Sequence, residues 1–254
     1  MPTSSFAGIP VLNYHQINDE SHNALTLSSH EFDAQMAYLK KAGYTSISPN
    51  QLFDYLESNT PLPPNPVLIT FDDGYEDNYR VAYPILQKYG LTATIFLITD
   101  FINTNNRYLT WTQVKEMQDQ GLNFASHTLN HAILTKEADD SLQAQLVKSR
   151  EALEYQLKQK VEFLAYPGGF YNQHVIAMAK KAGYRGAFTI NFGRNYKHPN
   201  LYSLNRIPIF YANHTFLHFG LRLKFTQELL ALQNFKNYLR NFGAITVANW
   251  IPTI

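Results

Sequence analysis

This sequence predicts a single α/β domain whose parallel strands close into a (β/α) barrel, and three observations carry the prediction. Seven or eight short apolar, β-branched segments alternate with stretches of helical periodicity along most of the chain, the pattern of a parallel sheet with helical crossovers. The 254 residues, 45% of them hydrophobic and 16% charged, suffice for one sizeable core. No Gly-x-Gly-x-x-Gly or phosphate-loop pattern follows any strand, which removes the chief support for an open doubly wound sheet.

The elements follow in order. Pro10 to Tyr14 is a strand that ends at His15. Ser28 and Glu31 form a capping box, and Leu27 with Phe32 a hydrophobic staple, opening a helix that stops at Gly43. Tyr44 to Ile47 reads as a strand; Ser48, Pro49 and Gln51 then start a helix that runs to a proline-rich connection. The apolar run from Val67 to Phe71 is a buried strand, bounded by Pro63, Pro64 and Pro66 before it and Gly74 after it. A helix from about Asn78 to Gly90 leads to a strand at Thr92 to Ile98. Thr110 and Gln113 cap a helix ending at Gly121, and the strand Leu122 to Ser126 runs straight into His127. A helix over about Asp140 to Lys160 precedes the strand Val161 to Tyr166. Another helix ends at Gly183 before the strand Tyr184 to Ile190, and Leu204 to Phe210 is a last strand. Lys-Lys-Ala-Gly-Tyr occurs at both 40 to 44 and 180 to 184, each time where a helix hands over to a strand.

Residues 1–254 are thus read as one barrel domain, with 221–254 as a C-terminal extension packed on it. That tail carries an amphipathic helix through Leu223, Leu229, Leu232, Phe235 and Leu239, and a strand is predicted at Ala244 to Trp250. Completion of the fold is the plainer role for this helix, and membrane contact the other. A formal net charge of +1 without long charged blocks argues against nucleic acid as the main partner. With no cysteine, disulfides and thiolate zinc sites are excluded, leaving His, Asp and Glu as strong metal ligands. Met1 to Gly8 lacks the basic and apolar regions of a secretory signal, and no apolar run approaches the roughly 18 residues of a membrane span. The aromatic share of 14% fits either core packing or sugar stacking in a cleft.

Charge placement points to chemistry. Asp72 and Asp73 stand together at the exit of a buried strand, where two acids repel unless a cation or a shared proton joins them. One could bind an ion while the other accepts a proton nearby, or either could cap the next helix or pair with an arginine. His127 and His131, four residues apart after another strand, are close enough to ligate one ion; as a bare spacing, surface or core histidines explain it as well. Together with a strand-end Asp they make a His, His, carboxylate set with open coordination positions.

Thr70-Phe71-Asp72-Asp73-Gly74, followed by Ser126-His127-Thr128 and His131, resembles the first two motifs of the polysaccharide deacetylase family (carbohydrate esterase family 4, the NodB-homology domain), over roughly residues 8 to 210. The resemblance implies a distorted (β/α)₇ barrel and a metal-dependent hydrolase that removes N-acetyl groups from amino sugars. By position, Asp73, His127 and His131 would hold a divalent metal, zinc first, with Co2+, Ni2+ or Fe2+ as alternatives, and Asp72 would be the general base. Leu12-Asn13-Tyr14-His15-Gln16-Ile17, Phe163 to Gly169 and Asn205-Arg206-Ile207-Pro208-Ile209 resemble more narrowly the biofilm poly-β-1,6-N-acetylglucosamine deacetylase branch, whose barrel is circularly permuted. That branch implies His15 as the general acid protonating the leaving amine, an N-acetylated polysaccharide partner, and an extracytoplasmic or cell-envelope location. On the residues alone, a packed core histidine is the commoner reading of His15.

Two departures from the family pattern stand out. The third motif has an Arg that orients the base and a Tyr whose backbone N–H holds the oxyanion, whereas this chain has Ala165 and Gly168 there. A backbone donor survives the side-chain change, so Gly168 keeps that role as an expectation. Arg206 is the substitute for the missing arginine, with a purely structural salt bridge as the alternative. The usual fourth motif, with its Asp and Trp, has no match. Deacetylation of another N-acetylated sugar or small amide, and a non-catalytic glycan-binding barrel, are the rival functions.

Overall fold

The computed structural model describes residues 8–21, 23–209 and 216–241. In chain order the elements are β1 (Val11–Tyr14), β2 (Gln16–Ile17), β3 (Thr26–Leu27), α1 (Ser29–Lys41), β4 (Thr45–Ser46), α2 (Pro49–Ser58), β5 (Pro66–Phe71), α3 (Tyr83–Tyr89), β6 (Thr94–Leu97), α4 (Trp111–Asp119) and β7 (Asn123–Ser126). There follow α5 (Asp139–Leu157), β8 (Phe163–Ala165), α6 (Gln173–Lys181), β9 (Gly186–Phe192), β10 (Leu204–Pro208), α7 (Phe216–Lys224) and α8 (Thr226–Asn241).

Seven strands, β1-β10-β9-β8-β7-β6-β5, form a parallel ring that closes where β1 pairs with β5, Val11 opposite Leu68 through Tyr14 opposite Phe71. The expected (β/α)₇ barrel is therefore the fold. Its distortion has a plain origin: β9 and β10 are joined by residues 193–203 without a helix, and β4 pairs with β5 outside the ring.

Alternation along the strands sorts the side chains, because successive residues face opposite sides of a sheet. Leu12, Ile69, Ile95, Phe124 and Leu164 join the layer between ring and helices, while Val11, Leu68, Phe96, Ala125, Phe163 and Phe188 join a second cluster with α2 residues Leu52 and Phe53. Phe53 of α2 lies 4.6 Å from the Phe163 ring and 6.0 Å from Phe188. Higher up, the inward positions turn polar, with Asn13, Thr70 and Arg206 all fully buried. The barrel is a filled core whose polarity rises toward the carboxyl ends of its strands, where the chemistry of such folds is placed.

Local signals explain the elements and some of the differences. Ser48 with Gln51 and Thr110 with Gln113 close full reciprocal capping boxes; Ser28 caps α1 through the Glu31 N–H at 3.2 Å. The repeated Lys-Lys-Ala-Gly-Tyr is one helix stop used twice. Gly43 and Gly183 adopt φ of 75° and 89°, and Tyr44 and Tyr184 donate back to Leu39 and Ala179 five residues earlier. The predicted 78–90 helix opens with a π-helical turn over Asn78–Ala82 and becomes α-helical only at Tyr83. The predicted tail helix is two, α7 and α8, broken at Phe225; Phe219 of α7 meets Tyr38 of α1 edge-on at 6.0 Å. The strand expected at Ala244 to Trp250 lies outside the described residues.

Candidate active site

At the exit of β5 the Asp72 N–H donates to the Tyr14 carbonyl at 3.0 Å, extending the β1–β5 ladder by one residue. Asp73 and Gly74 then both take left-handed backbone conformations, φ 75° and 73°, and turn the chain sharply. A Cβ on Gly74 would stand 2.6 Å from Leu97 Cδ2, so this turn needs glycine for space as well as for its backbone angle. The two acids therefore diverge, as the glycine suggested, and each finds its own partners.

Asp72 meets Arg206. The guanidinium donates from Nη1 to Oδ1 and from Nη2 to Oδ2, both at 2.7 Å, with the arginine fully buried and the aspartate 2% exposed. Arg206 Nε donates to the Thr189 carbonyl at 2.6 Å, which fixes the plane of the fork. Burial alone would raise the Asp72 pKa, but Arg206 outweighs it and holds the carboxyl far below its usual range. His15, the residue after β1, places Nε2 3.9 Å from Asp72 Oδ2. Its main-chain carbonyl accepts from Asn78 Nδ2 at 2.8 Å, which ties the histidine to the turn beyond the acid pair. Burial pushes the His15 pKa down, against the pull of the neighbouring Asp72 carboxylate.

Asp73 faces two histidines. His127 Nε2 stands 3.3 Å and His131 Nε2 3.5 Å from the same oxygen, Asp73 Oδ1, which is buried without a hydrogen-bond partner. His127 directs its Nδ1 to the Ala165 carbonyl at 2.8 Å. A neutral ring that donates its proton there presents a lone pair, not a proton, to the carboxylate. Burial opposes charge on His127, yet the Asp72 and Asp73 carboxylates push its pKa up. Burial and the adjacent His127 push that of His131 down. Asp73 itself stays below the ordinary carboxylate range, burial being overcome by His127.

The trio fits a metal ion. Its ligand atoms all lie within 4.8 Å of one another. Bonds of about 2.0–2.1 Å in a tetrahedral array set ligand atoms roughly 3.3–3.4 Å apart. The observed 3.3 and 3.5 Å separations match that spacing, and a cation would satisfy the orphaned Asp73 oxygen.

Because the ring is parallel, the residues after β1, β5 and β7 open onto one mouth, and Arg206 reaches it from inside β10. Six of the seven expected residues are brought together: Asp72, Asp73, His15, His127, His131 and Arg206. The seventh, Gly168, sits on the turn Pro167–Gly169 after β8, with φ 60°. Next to the mouth, a cleft of about 230 Å³ is lined by Gln16, Asn18, Tyr75, Asp77 and Arg107 among others. Tyr75 stacks on Tyr108 at 5.4 Å and carries the Arg107 guanidinium 5.2 Å from its ring. Arg107 lies 5.7 Å from the Tyr108 ring as well, so it sits beside the stacked pair, and Tyr75 is left only 6% exposed.

The sequence expectations overlooked the supports of these groups: Asn78 under His15, Thr189 beside Arg206, the Ala165 carbonyl on His127, and Gln145 of α5 against the loop between the histidines. Gln145 carried a usable signal, since it interrupts the buried stripe of Leu142, Leu146 and Leu153 on a helix.

Among the described residues no helix is long and apolar enough to cross a membrane. Residues 59–187 match the family model described as polysaccharide deacetylase. YxkH of Bacillus subtilis (strain 168), provisionally named a polysaccharide deacetylase, is 35% identical over 207 residues, covering 82% of this chain and 73% of its own. A poly-β-1,6-N-acetyl-D-glucosamine N-deacetylase of Staphylococcus aureus (strain MSSA476) is 30% identical over 197 residues, 72% of this chain and 68% of that protein. Among solved structures, the Streptococcus pyogenes deacetylase PplD in complex with acetate superposes with a TM-score of 0.77 at 35% identity, covering 80% of this chain and 92% of that one.

Proposed function

Because this chain belongs to the polysaccharide deacetylase family, we propose that it is a metal-dependent hydrolase removing N-acetyl groups from a polymer of N-acetylglucosamine, the β-1,6-linked polymer first. The observation that carries the reading is the division of two adjacent acids, one against a pair of histidines and one against a buried arginine. Likeness to the staphylococcal N-deacetylase supports the choice of polymer, and the acetate in the PplD structure is the product such a reaction releases. A substrate of this kind places the enzyme's work at the cell envelope.

Asp73, His127 and His131 would hold the metal, zinc ahead of Co2+, Ni2+ or Fe2+ by ligand type. A divalent ion held there would lower the pKa of water and polarise the acetyl carbonyl. Asp72 receives the proton of the attacking water. Arg206 keeps it ionised and aims it, at the cost of making it a weak base, so it can serve only toward an already acidified water. The carbonyl becomes tetrahedral, and the Gly168 N–H stabilises its oxygen. His15, neutral at rest through burial and 3.9 Å from Asp72, takes up that proton and delivers it to the nitrogen as the C–N bond breaks. Water has then been split across the amide, giving acetate and a free amine.

Acetate release from β-1,6- and β-1,4-linked N-acetylglucosamine oligomers, with chelator and after zinc is restored, tests this. The expected result is release from the β-1,6 series, loss with chelator and recovery with zinc. Preference for the β-1,4 series would overturn the linkage, and sugar binding without acetate release in metal-loaded protein would overturn catalysis. Asp73→Asn protein that kept both its metal and full activity would overturn the assignment of ligands.

A further inference from the structure

Helix α5 buries Leu142, Leu146, Leu153 and Leu157 along one stripe, and the same stripe carries Gln145 and Ser149. A polar side chain on a core-facing stripe weakens a fold unless its hydrogen bonds are made. Gln145, 4% exposed, makes three, all to one short loop. Its Oε1 accepts from the backbone N–H of Leu129 at 3.1 Å and of Asn130 at 3.2 Å, and its Nε2 donates to Asn130 Oδ1 at 2.8 Å. That loop is the segment between His127 and His131.

The loop has reason to need holding. Thr128 and His131 both carry positive φ, 68° and 64°, a region unfavourable for residues with a Cβ. Inside the loop, Thr128 donates its N–H to Ser126 Oγ at 3.1 Å, and His131 donates its N–H to Thr128 Oγ1 at 3.2 Å. One turn along α5, Ser149 Oγ lies 3.0 Å from Ser126 Oγ, so the helix grips both the strand exit and the loop beyond it.

We infer that Gln145 is a positioning residue for the metal centre, holding the His127–His131 loop from outside the barrel in its ligand-presenting shape before any ion arrives. The inference rests on the metal reading of Asp73, His127 and His131. The amide type matters: one end accepts two adjacent N–H groups and the other donates. Glutamate would keep both acceptances, and Asn130 could turn its amide over to donate to it. Methionine would keep the length and lose all three bonds.

The probe is Co2+, followed by titration calorimetry and by its visible absorption, on full-chain parent, Gln145→Met and Gln145→Glu. Gln145→Met should bind Co2+ about 10–100-fold more weakly, the size of effect usual for groups that orient ligands. Gln145→Glu should return affinity to within a few-fold of the parent, which a merely structural role would not achieve. A second measurement needs no metal: amide hydrogen exchange at Leu129 and Asn130 in chelator-treated protein should be slow in the parent and fast in Gln145→Met. Parent-like Co2+ affinity in folded Gln145→Met overturns the proposal, as does unchanged exchange at both amides. Should Gln145→Met fail to fold, Asn130→Ala removes the third bond alone, and parent-like Co2+ affinity there overturns it equally. A parent that binds no Co2+ while exchange still responds to Gln145 would sink the metal reading and leave the grip on the loop standing.

Discussion

Replacing Arg206 with methionine tests the site and the fold at once. The substitution keeps much of the side-chain bulk but leaves Asp72, 2% exposed, without either of its 2.7 Å hydrogen bonds, and the Thr189 carbonyl without its donor. Removing one member of a buried ion pair costs about 3–5 kcal/mol, because the charge left behind is neither hydrated nor paired. With a urea m-value of about 3 kcal/mol per molar for a chain of this size, the midpoint should fall by about 1–2 M at constant slope. The effect should depend on pH with a definite sign. In the parent, Arg206 holds the folded Asp72 pKa below its unfolded value of about 3.9, so its stabilisation is present above that pH and is lost as pH falls through the folded pKa. In Arg206→Met burial is opposed only by the nearby His127 and His15, so the folded pKa rises and the stabilisation that the parent has above about pH 4 is lost. The gap between parent and variant is therefore widest near neutrality and narrows toward pH 4. The double variant Arg206→Met/Asp72→Asn should be less destabilised than the sum of the single variants, since no buried charge is stranded. Deacetylation should drop by about 10²-fold or more through loss of an aimed, ionised base. A midpoint shift under about 0.3 M, or additive single and double variants, would refute the reasoning.

His15→Ala should lower kcat by about 10²–10⁴-fold while the metal content measured by mass spectrometry stays at the parent level; a matching loss of metal would move His15 into the ligand set. Gly74→Ala should destabilise by at least about 1 kcal/mol and also lower Co2+ affinity, because a Cβ 2.6 Å from Leu97 Cδ2 shifts the turn that carries Asp73; thermal melts and cobalt titration check both. Arg222, 6% exposed, has Nε and Nη1 buried without a partner among the described residues, and burial lowers its pKa to about 10. Arg222→Met should therefore raise the melting temperature by a few degrees, its lost contact with the Phe192 ring offsetting only part of the gain, and a lower melting temperature would show that contact to dominate.

Most strands were legible because a parallel barrel strand is a short apolar run with turn residues at each end, and both sides of it are buried. The site residues were legible for a related reason: charge at the exit of such a run is out of place unless it has a task. Harder to see were contacts that depend on how the ring closes. The Asp72–Arg206 pair, 134 positions apart, was expected only through the family resemblance, because no local pattern states that β10 lies beside β1, which in turn pairs with β5. The absent arginine at Ala165 was visible; that the Ala165 backbone carbonyl would orient His127 was not, since any residue supplies a carbonyl. Gln145 escaped although its place on the apolar stripe marked it, because periodicity says that a polar residue there is buried and not which loop it holds. The interruption at Phe225 carries no glycine or proline; there the Thr226 hydroxyl donates to the Arg222 carbonyl at 2.6 Å and Arg194 donates to that of Leu223.

The position of β1 in the ring bears on how the molecule is made. One neighbour, β5, lies some fifty residues downstream, while the other, β10, comes near the end of the described chain. During synthesis the first six ring strands can gather, but β1 and β9 must wait as open edges, the surfaces most prone to pair with another chain. Through the same interval Asp72 lacks its guanidinium, and the half-built interior holds a carboxylate that favours water over burial. Arrival of β10 ends both conditions in one step, covering the edges and neutralising the acid. On the proposed mechanism, hydrolytic competence follows the completed ring, because the strand that seals the barrel also brings the arginine that aims Asp72.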